Sequence, residues 1–135
     1  MLQYRRRCGG IFIPRGRVFR LYIEEHYPFG DFALVRVRGD KAEVGFVLAD
    51  EDVAKWPALY QEAWKIAEYF QQRIKEENLE KRAIPAVGKD LDFITVSVIV
   101  DLAELTEEEI YQLADQIMGI LKETNPYRKE DQEDG

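Results

Sequence analysis

The sequence predicts an α+β fold, a two-layer sandwich in which a mostly antiparallel sheet carries two helices on one face. Three observations predict it. Two alternating apolar stretches flank a two-residue turn, two later stretches repeat apolar residues every three or four positions, and the run between them is rich in β-branched residues. The predicted order is β(β)ββ-α-β-α, and the pattern leaves open where the strand between the helices lies in the sheet.

One domain is expected over residues 11–125, because a chain of 135 residues can bury a core without disulfides or metals. Residues 1–10 are predicted to be a mobile basic arm, and residues 126–135 an acidic, solvated tail. The single cysteine, Cys8, permits no intrachain disulfide, so a reducing cytoplasm is the expected location. The longest apolar run, Phe93 to Val100, is too short to span a bilayer, and no membrane partner is expected.

The first predicted strand covers Arg17 to Glu25, where apolar and polar residues alternate. In a strand, Phe19, Leu21 and Ile23 would share one face. The opposite face would carry Arg20 and Tyr22. We therefore expect a half-buried strand with arginine and tyrosine on its outer side.

A β-hairpin follows, with strands over Phe32 to Arg38 and Ala42 to Ala49. The loop Gly39-Asp40 has glycine first, as a type II′ turn prefers. Pairing Arg38 with Lys41 then sets Arg36 opposite Glu43 and gathers the apolar residues of both strands on the other face. A slip of one residue would scramble that arrangement.

The first helix is expected to begin near Pro57, after a short acidic turn, because proline is favoured in a first helical turn. Residues 78–91 are polar and are interpreted as a loop. Phe93 to Val100 is apolar on both faces, which indicates an interior strand. Thr106 and Glu109 have the spacing of a capping box and predict the start of the second helix.

No constellation of catalytic residues is evident in the sequence. One histidine, one cysteine and one serine exclude a zinc site of the usual kind and leave no nucleophile with a partner base, so we expect no metal, no cofactor and no enzymatic activity. The alternative left open is a small enzyme that uses carboxylate catalysis around Asp90, Asp92 and Asp101.

Charge is divided along the chain: the first 40 residues carry a balance of +4 and the rest −11. This division and the lack of catalytic residues favour a non-enzymatic protein-binding module: an adaptor, chaperone, or inhibitor and regulator. Its expected partner is a larger protein, for which a basic component of a nucleic-acid-processing machine would fit the acidic remainder. Aromatic residues near loops are frequent interface anchors, and the predicted ones are Tyr27, Phe29, Trp56 and Tyr60.

The alternative function is a nucleic-acid-binding accessory domain that uses the arginine-rich N-terminal strands. Guanidinium groups grip phosphates, and a neighbouring aromatic ring can stack on a base. The residues predicted for such contacts, or for contacts with another anion, are Arg15, Arg20, Tyr22, Arg36 and Arg38. A homodimer formed through the edges of the sheet is also left open.

Overall fold

The computed structural model describes residues 13–90 and 93–125. The predicted N-terminal arm, residues 1–10, and the predicted acidic tail, residues 126–135, therefore lie outside the described residues. The elements are α1 (Arg15–His26), β1 (Leu34–Arg38), β2 (Lys41–Leu48), α2 (Trp56–Glu76), β3 (Ala83–Asp90), β4 (Phe93–Asp101) and α3 (Glu107–Thr124).

The four strands form one antiparallel sheet in the order β1-β2-β4-β3, and helices pack on it, which confirms the α+β class. β4 lies between β2 and β3, so the expectation of an interior strand after residue 92 is confirmed. A single buried core joins the sheet to the helices, for example where the rings of Phe46 and Phe70 lie 6.5 Å apart. β1 and β3 are the two edges of the sheet.

The hairpin has the predicted register, with Arg36 opposite Glu43 and Arg38 opposite Lys41. Gly39 adopts a φ of 60°, as the first position of a type II′ turn requires. On the face away from the helices, Arg36 Nη2 lies 3.0 Å from Glu43 Oε1. Turn chemistry and alternation were therefore sufficient to fix this part of the fold.

The predicted strand over Arg17–Glu25 is wrong, because these residues belong to helix α1. The buried positions Gly16, Phe19 and Ile23 follow helical spacing, whereas Leu21, which alternation turned inward, is 46% exposed. Gly16 donates its N–H to the Gly39 carbonyl at 2.9 Å, so α1 begins directly against the hairpin turn. The structure consequently has three helices where two were predicted.

The predicted loop over residues 78–91 is also wrong in its second half, which forms β3. Proline and glycine are poor residues for a central strand, but they are tolerated at an edge. β3 is such an edge, with Pro85 opposite Val98 and Gly88 opposite Thr95.

The two predicted helix starts are confirmed. α2 begins at Trp56 with Pro57 in its first turn, after a single turn of helix over Val53–Lys55. α3 begins after Thr106, whose hydroxyl accepts from the Glu109 N–H at 3.2 Å. The Glu109 carboxylate accepts from the Thr106 N–H at 2.9 Å, which completes the capping box.

Candidate functional site

A cleft of about 520 Å³ lies between α1 and the N-terminal half of α3. Aromatic rings, carboxylates and half-exposed aliphatic side chains meet in it, and its principal lining residues are Ile13, Leu21, Tyr22, Glu25, Glu107 and Tyr111. We call this the α1–α3 cleft. Two helices that are 80 residues apart in sequence form it, so it exists only in the folded chain.

Tyr22 is the centre of an aromatic stack in the cleft. Its ring lies 4.5 Å from that of Tyr111, at an interplanar angle of 17°. The imidazole of His26 lies 4.2 Å from the Tyr22 ring, because residues four apart are neighbours on a helix. His26 Nδ1 is 3.0 Å from the Tyr22 carbonyl oxygen, which orients the imidazole ring.

A shared carboxylate holds the aromatic residues in place. The Tyr22 hydroxyl donates to both oxygens of Asp115, at 3.0 and 3.1 Å, and the Tyr27 hydroxyl donates to Oδ1 at 2.5 Å. Burial, followed by the hydrogen bond to Asp115, raises the pKa of both tyrosines. Asp115 therefore connects the C-terminal end of α1 to α3 through hydrogen bonds.

Carboxylates lie on both walls of the cleft. Glu107, in the first turn of α3, accepts a hydrogen bond from the Tyr111 hydroxyl, which raises the pKa of Tyr111 to about 12. An acid at this position is also favoured by the helix dipole. From α1, Glu25 contributes a largely exposed carboxylate, with Oε1 3.9 Å from His26 Nε2. The charge lining the cleft is thus mainly negative.

The rim of the cleft is apolar, because Ile13 and Leu21 are each nearly half exposed. Aromatic faces attract cations, and carboxylates form strong hydrogen bonds with guanidinium and ammonium groups. The aliphatic rim suits the methylene stem of a long basic side chain. These groups have the chemistry to contact an arginine or lysine side chain with an apolar neighbour.

The predicted aromatic anchors are distributed over several places. Tyr27 is joined to α3 by its hydrogen bond to Asp115, and Phe29 is 72% exposed, with its ring 5.7 Å from Phe32. At the start of α2, Trp56 Nε1 donates to the Asp50 carbonyl at 3.1 Å. Tyr60 lies one turn further on, with its ring 6.2 Å from that of Trp64.

Of the residues predicted for anion contact, three arginines have acidic neighbours. Arg15 Nε donates to the Leu105 carbonyl at 2.9 Å, and Arg15 Nη1 lies 3.7 Å from Asp40. Arg20 pairs with Glu24 at 3.2 Å, and Arg36 pairs with Glu43. Tyr22 lies in the cleft, and Arg38 makes no ion pair with any described residue.

Of the three carboxylates weighed for catalysis, the structure describes the side chain of Asp101. Asp101 Oδ1 accepts from the Ala103 N–H at 3.0 Å and so stabilises the turn after β4. Asp90 is the last residue of β3, and Asp92 lies outside the described residues. Within residues 13–90 and 93–125, no group of three histidine, cysteine, aspartate or glutamate side chains could hold a metal ion.

The cleft as a whole was missed from sequence, although Tyr22 and Tyr27 were named. Glu107, Tyr111 and Asp115 recur every four residues on α3, which places them along one face of that helix. This spacing was a usable signal. Tyr22 and His26 have the same spacing, but it indicates neighbouring side chains on a helix only once Arg15–His26 is known to be a helix.

Comparison with protein-family models, with curated proteins and with solved structures finds no match to the chain. In the part of the chain that the structure describes, no helix is both long and apolar enough to cross a membrane. The function is therefore argued from the geometry of the described residues.

Proposed function

We propose that the chain is a non-enzymatic protein-binding module that takes a basic segment of a larger partner protein into the α1–α3 cleft. The observation that carries the proposal is the Tyr22–Tyr111 stack, which lines the same cleft as the carboxylates of Glu25 and Glu107. An adaptor, a chaperone and an inhibitor or regulator all fit this description. The cytoplasm is the proposed location, because one cysteine suits a reducing compartment.

In the proposed complex, an arginine or lysine of the partner lies against the aromatic stack. A cation over a tyrosine ring contributes about 0.5–2 kcal/mol, with the larger values where water is excluded. Glu25 and Glu107 accept hydrogen bonds from the cation, and Leu21 packs against a neighbouring apolar side chain. The acidic surroundings accelerate and orient the encounter more than they tighten it.

The experiment is an affinity capture from extract of the cells that make the protein, with bait carrying Glu25→Gln and Glu107→Gln. The matched control bait carries Glu51→Gln and Glu62→Gln, which removes the same charge from one exposed position before α2 and one within it. Each capture is split into nuclease-treated and untreated halves. We expect a protein that survives nuclease, is retained by wild type and control, and is lost from the cleft variant.

The proposal is contradicted if the cleft variant and the control retain the same proteins in the same amounts. The chain's own Arg5, Arg6 and Arg7 have the chemistry expected of the ligand. A third bait with these arginines changed to glutamine therefore tests competition. Stronger capture by that bait would show that the N-terminal arginines compete for the cleft.

A second candidate function, nucleic-acid binding, has one specific observation in its favour. Arg38 and Lys41 line a depression of about 440 Å³ next to Ile99, and neither forms an ion pair with a described residue. Unpaired cations beside the hairpin turn could contact phosphates. This candidate predicts binding of a single-stranded oligonucleotide that falls steeply with salt and with Arg38→Gln and Lys41→Gln. Salt-insensitive binding, or none, would exclude it.

A further inference from the structure

A second depression, a groove of about 510 Å³, lies between α2 and the edge strand β3. We call it the α2–β3 groove. Its floor is apolar, with Ala67 from the helix and Pro85 and Val87 from the strand. Trp64, which is 49% exposed, forms one end. None of the elements that form the α1–α3 cleft contributes to this groove.

The backbone of β3 offers hydrogen bonds toward its open side. The Asp101 N–H donates to the Arg82 carbonyl at 2.7 Å, which makes these two residues a hydrogen-bonded pair. Because pairs alternate along an antiparallel ladder, Ile84, Ala86 and Gly88 also bond to β4. The N–H groups of Val87 and Lys89 therefore point away from the sheet. Pro85 occupies a position where no N–H toward β4 is needed.

The face of α2 along the groove is complementary to itself. Trp64, Glu68, Gln71 and Lys75 lie on one stripe of the helix and are exposed. When two such stripes run antiparallel about their midpoint, Trp64 faces Lys75 of the second copy and Glu68 faces Gln71 of the second copy. The first pair is a cation over an indole ring, and the second is an amide that donates to a carboxylate.

The strand is complementary to itself about the same groove. An antiparallel pairing of two β3 strands centred on Ala86 sets Val87 opposite Pro85 of the second copy. The Val87 N–H then donates to the Pro85 carbonyl, and the Lys89 N–H donates to the Ala83 carbonyl. Pro85 has no N–H, so each copy loses one hydrogen-bond donor in this pairing, but the pairing remains possible.

We propose that the α2–β3 groove is the interface of a symmetric homodimer, in which β3 pairs with β3 of a second copy and α2 packs antiparallel to its counterpart. In this dimer one two-fold axis through the groove relates both the two helix stripes and the two strands. An isologous interface has this property by definition, whereas an unrelated peptide would have no reason to match both. The dimer would carry one α1–α3 cleft on each copy.

The test is cysteine cross-linking of the full chain in a Cys8→Ser background, where the introduced cysteine has no competitor. Ala86 lies on the proposed axis in a non-hydrogen-bonded pair, so its Cα would lie about 4.5 Å from its counterpart, within disulfide range. Ile84, which is 57% exposed, is the matched control. The two copies of Ile84 would be offset by four residues along the paired strands, about 13 Å apart.

We expect Ala86→Cys to give at least about tenfold more disulfide-linked dimer than Ile84→Cys at equal concentration in a glutathione buffer. Light scattering of the Cys8→Ser chain should give twice the chain mass of 15.8 kDa. A monomer at every concentration overturns the proposal. A dimer in which Ala86→Cys does not cross-link overturns it as well, because the contact then lies elsewhere. A monomer whose β3 pairs with a strand of another protein overturns the proposal too.

A charge exchange on α2 tests the helix stripe without touching the strand. Gln71→Glu sets two carboxylates opposite each other in both of the central pairs of the contact, and we expect dimerisation to weaken by about tenfold. Adding Glu68→Lys in the same chain restores an opposite-charge pair and should restore the dimer. Equal dimerisation by the single and the double variant would contradict the antiparallel register.

Discussion

At the scale of single residues, Asp115 positions two of the tyrosine side chains at the candidate site. Two phenols donate to this one carboxylate, and the ring of Tyr27 also lies 5.4 Å from Lys122 Nζ. The neutral phenols are donors, so their hydrogen bonds exist only while they hold their protons. The raised pKa of Tyr22, Tyr27 and Tyr111 expresses that preference for the neutral form.

These pKa shifts predict a loss of stability at high pH. A phenol whose pKa is raised on folding adds stability that is complete below its unfolded pKa of about 10 and is lost as the pH rises through the folded value. For Tyr111 that value is about 12. We therefore expect the free energy of unfolding to fall between about pH 10 and pH 12, measured by urea denaturation.

Tyr27→Phe tests the origin of this alkaline loss. The variant should lose about 1 kcal/mol at neutral pH, because one hydrogen bond to Asp115 is removed, and should lose less than wild type above about pH 10. Tyr60→Phe is the control, since that hydroxyl makes no hydrogen bond with the described residues. Identical alkaline curves for wild type and Tyr27→Phe would rule out the role assigned to Tyr27.

At the scale of elements, the packing of α1 against the hairpin turn holds the N-terminal side of the cleft. A Cβ on Gly16 would lie 2.6 Å from the carbonyl oxygens of both Gly39 and Lys41. Those atoms belong to backbone and cannot rotate away. The close approach therefore depends on glycine, and it sets where the first turn of α1 lies on the sheet.

Gly16→Ala should destabilise the fold by about 1–3 kcal/mol, because the overpacked contact outweighs the better helix propensity of alanine. Gly119→Ala is the matched comparison, since Gly119 lies within α3 with nothing within 4 Å of an added Cβ. That change should stabilise the protein by up to about 1 kcal/mol. The measurement is the urea midpoint by circular dichroism, and a Gly16→Ala protein as stable as wild type would contradict this packing.

The elements differ in how far sequence could predict them. The hairpin and the start of α3 carry their own local chemistry, in a glycine-first turn and a capping box, and both were predicted correctly. The strand prediction for α1 was wrong because the spacing of the apolar residues Phe19 and Ile23 fits one face of a strand and one face of a helix alike. The two patterns differ in whether Leu21 is buried or exposed, and its exposure depends on what packs against the segment.

The candidate site was less predictable than the fold because its parts come from distant positions. Tyr22 and Tyr111 lie 89 residues apart in the chain and meet only when α1 packs on α3. The β3 edge was missed for a related reason. Pro85 and Gly88 argue against a central strand, and sequence alone does not show that β3 is an edge.

At the scale of the whole molecule, the structure carries two surfaces of different character that share no lining residue. The α1–α3 cleft is aromatic and acidic, whereas the α2–β3 groove is apolar, with one acid and one base along its helix. The first suits a basic partner segment, and the second suits a copy of itself. Because no element serves both surfaces, substitutions in one should leave the other unchanged.

The most direct test of the central claim is a titration of the isotope-labelled protein, followed by backbone amide shifts in NMR, with the peptide acetyl-Leu-Arg-Leu-Arg-Leu-amide. A peptide with glutamate in place of arginine is the control. We predict saturable shifts confined to residues 13–27 and 107–115, absent with the control peptide and reduced by Glu25→Gln with Glu107→Gln. No saturable shifts, or shifts centred on the α2–β3 groove, would contradict the account.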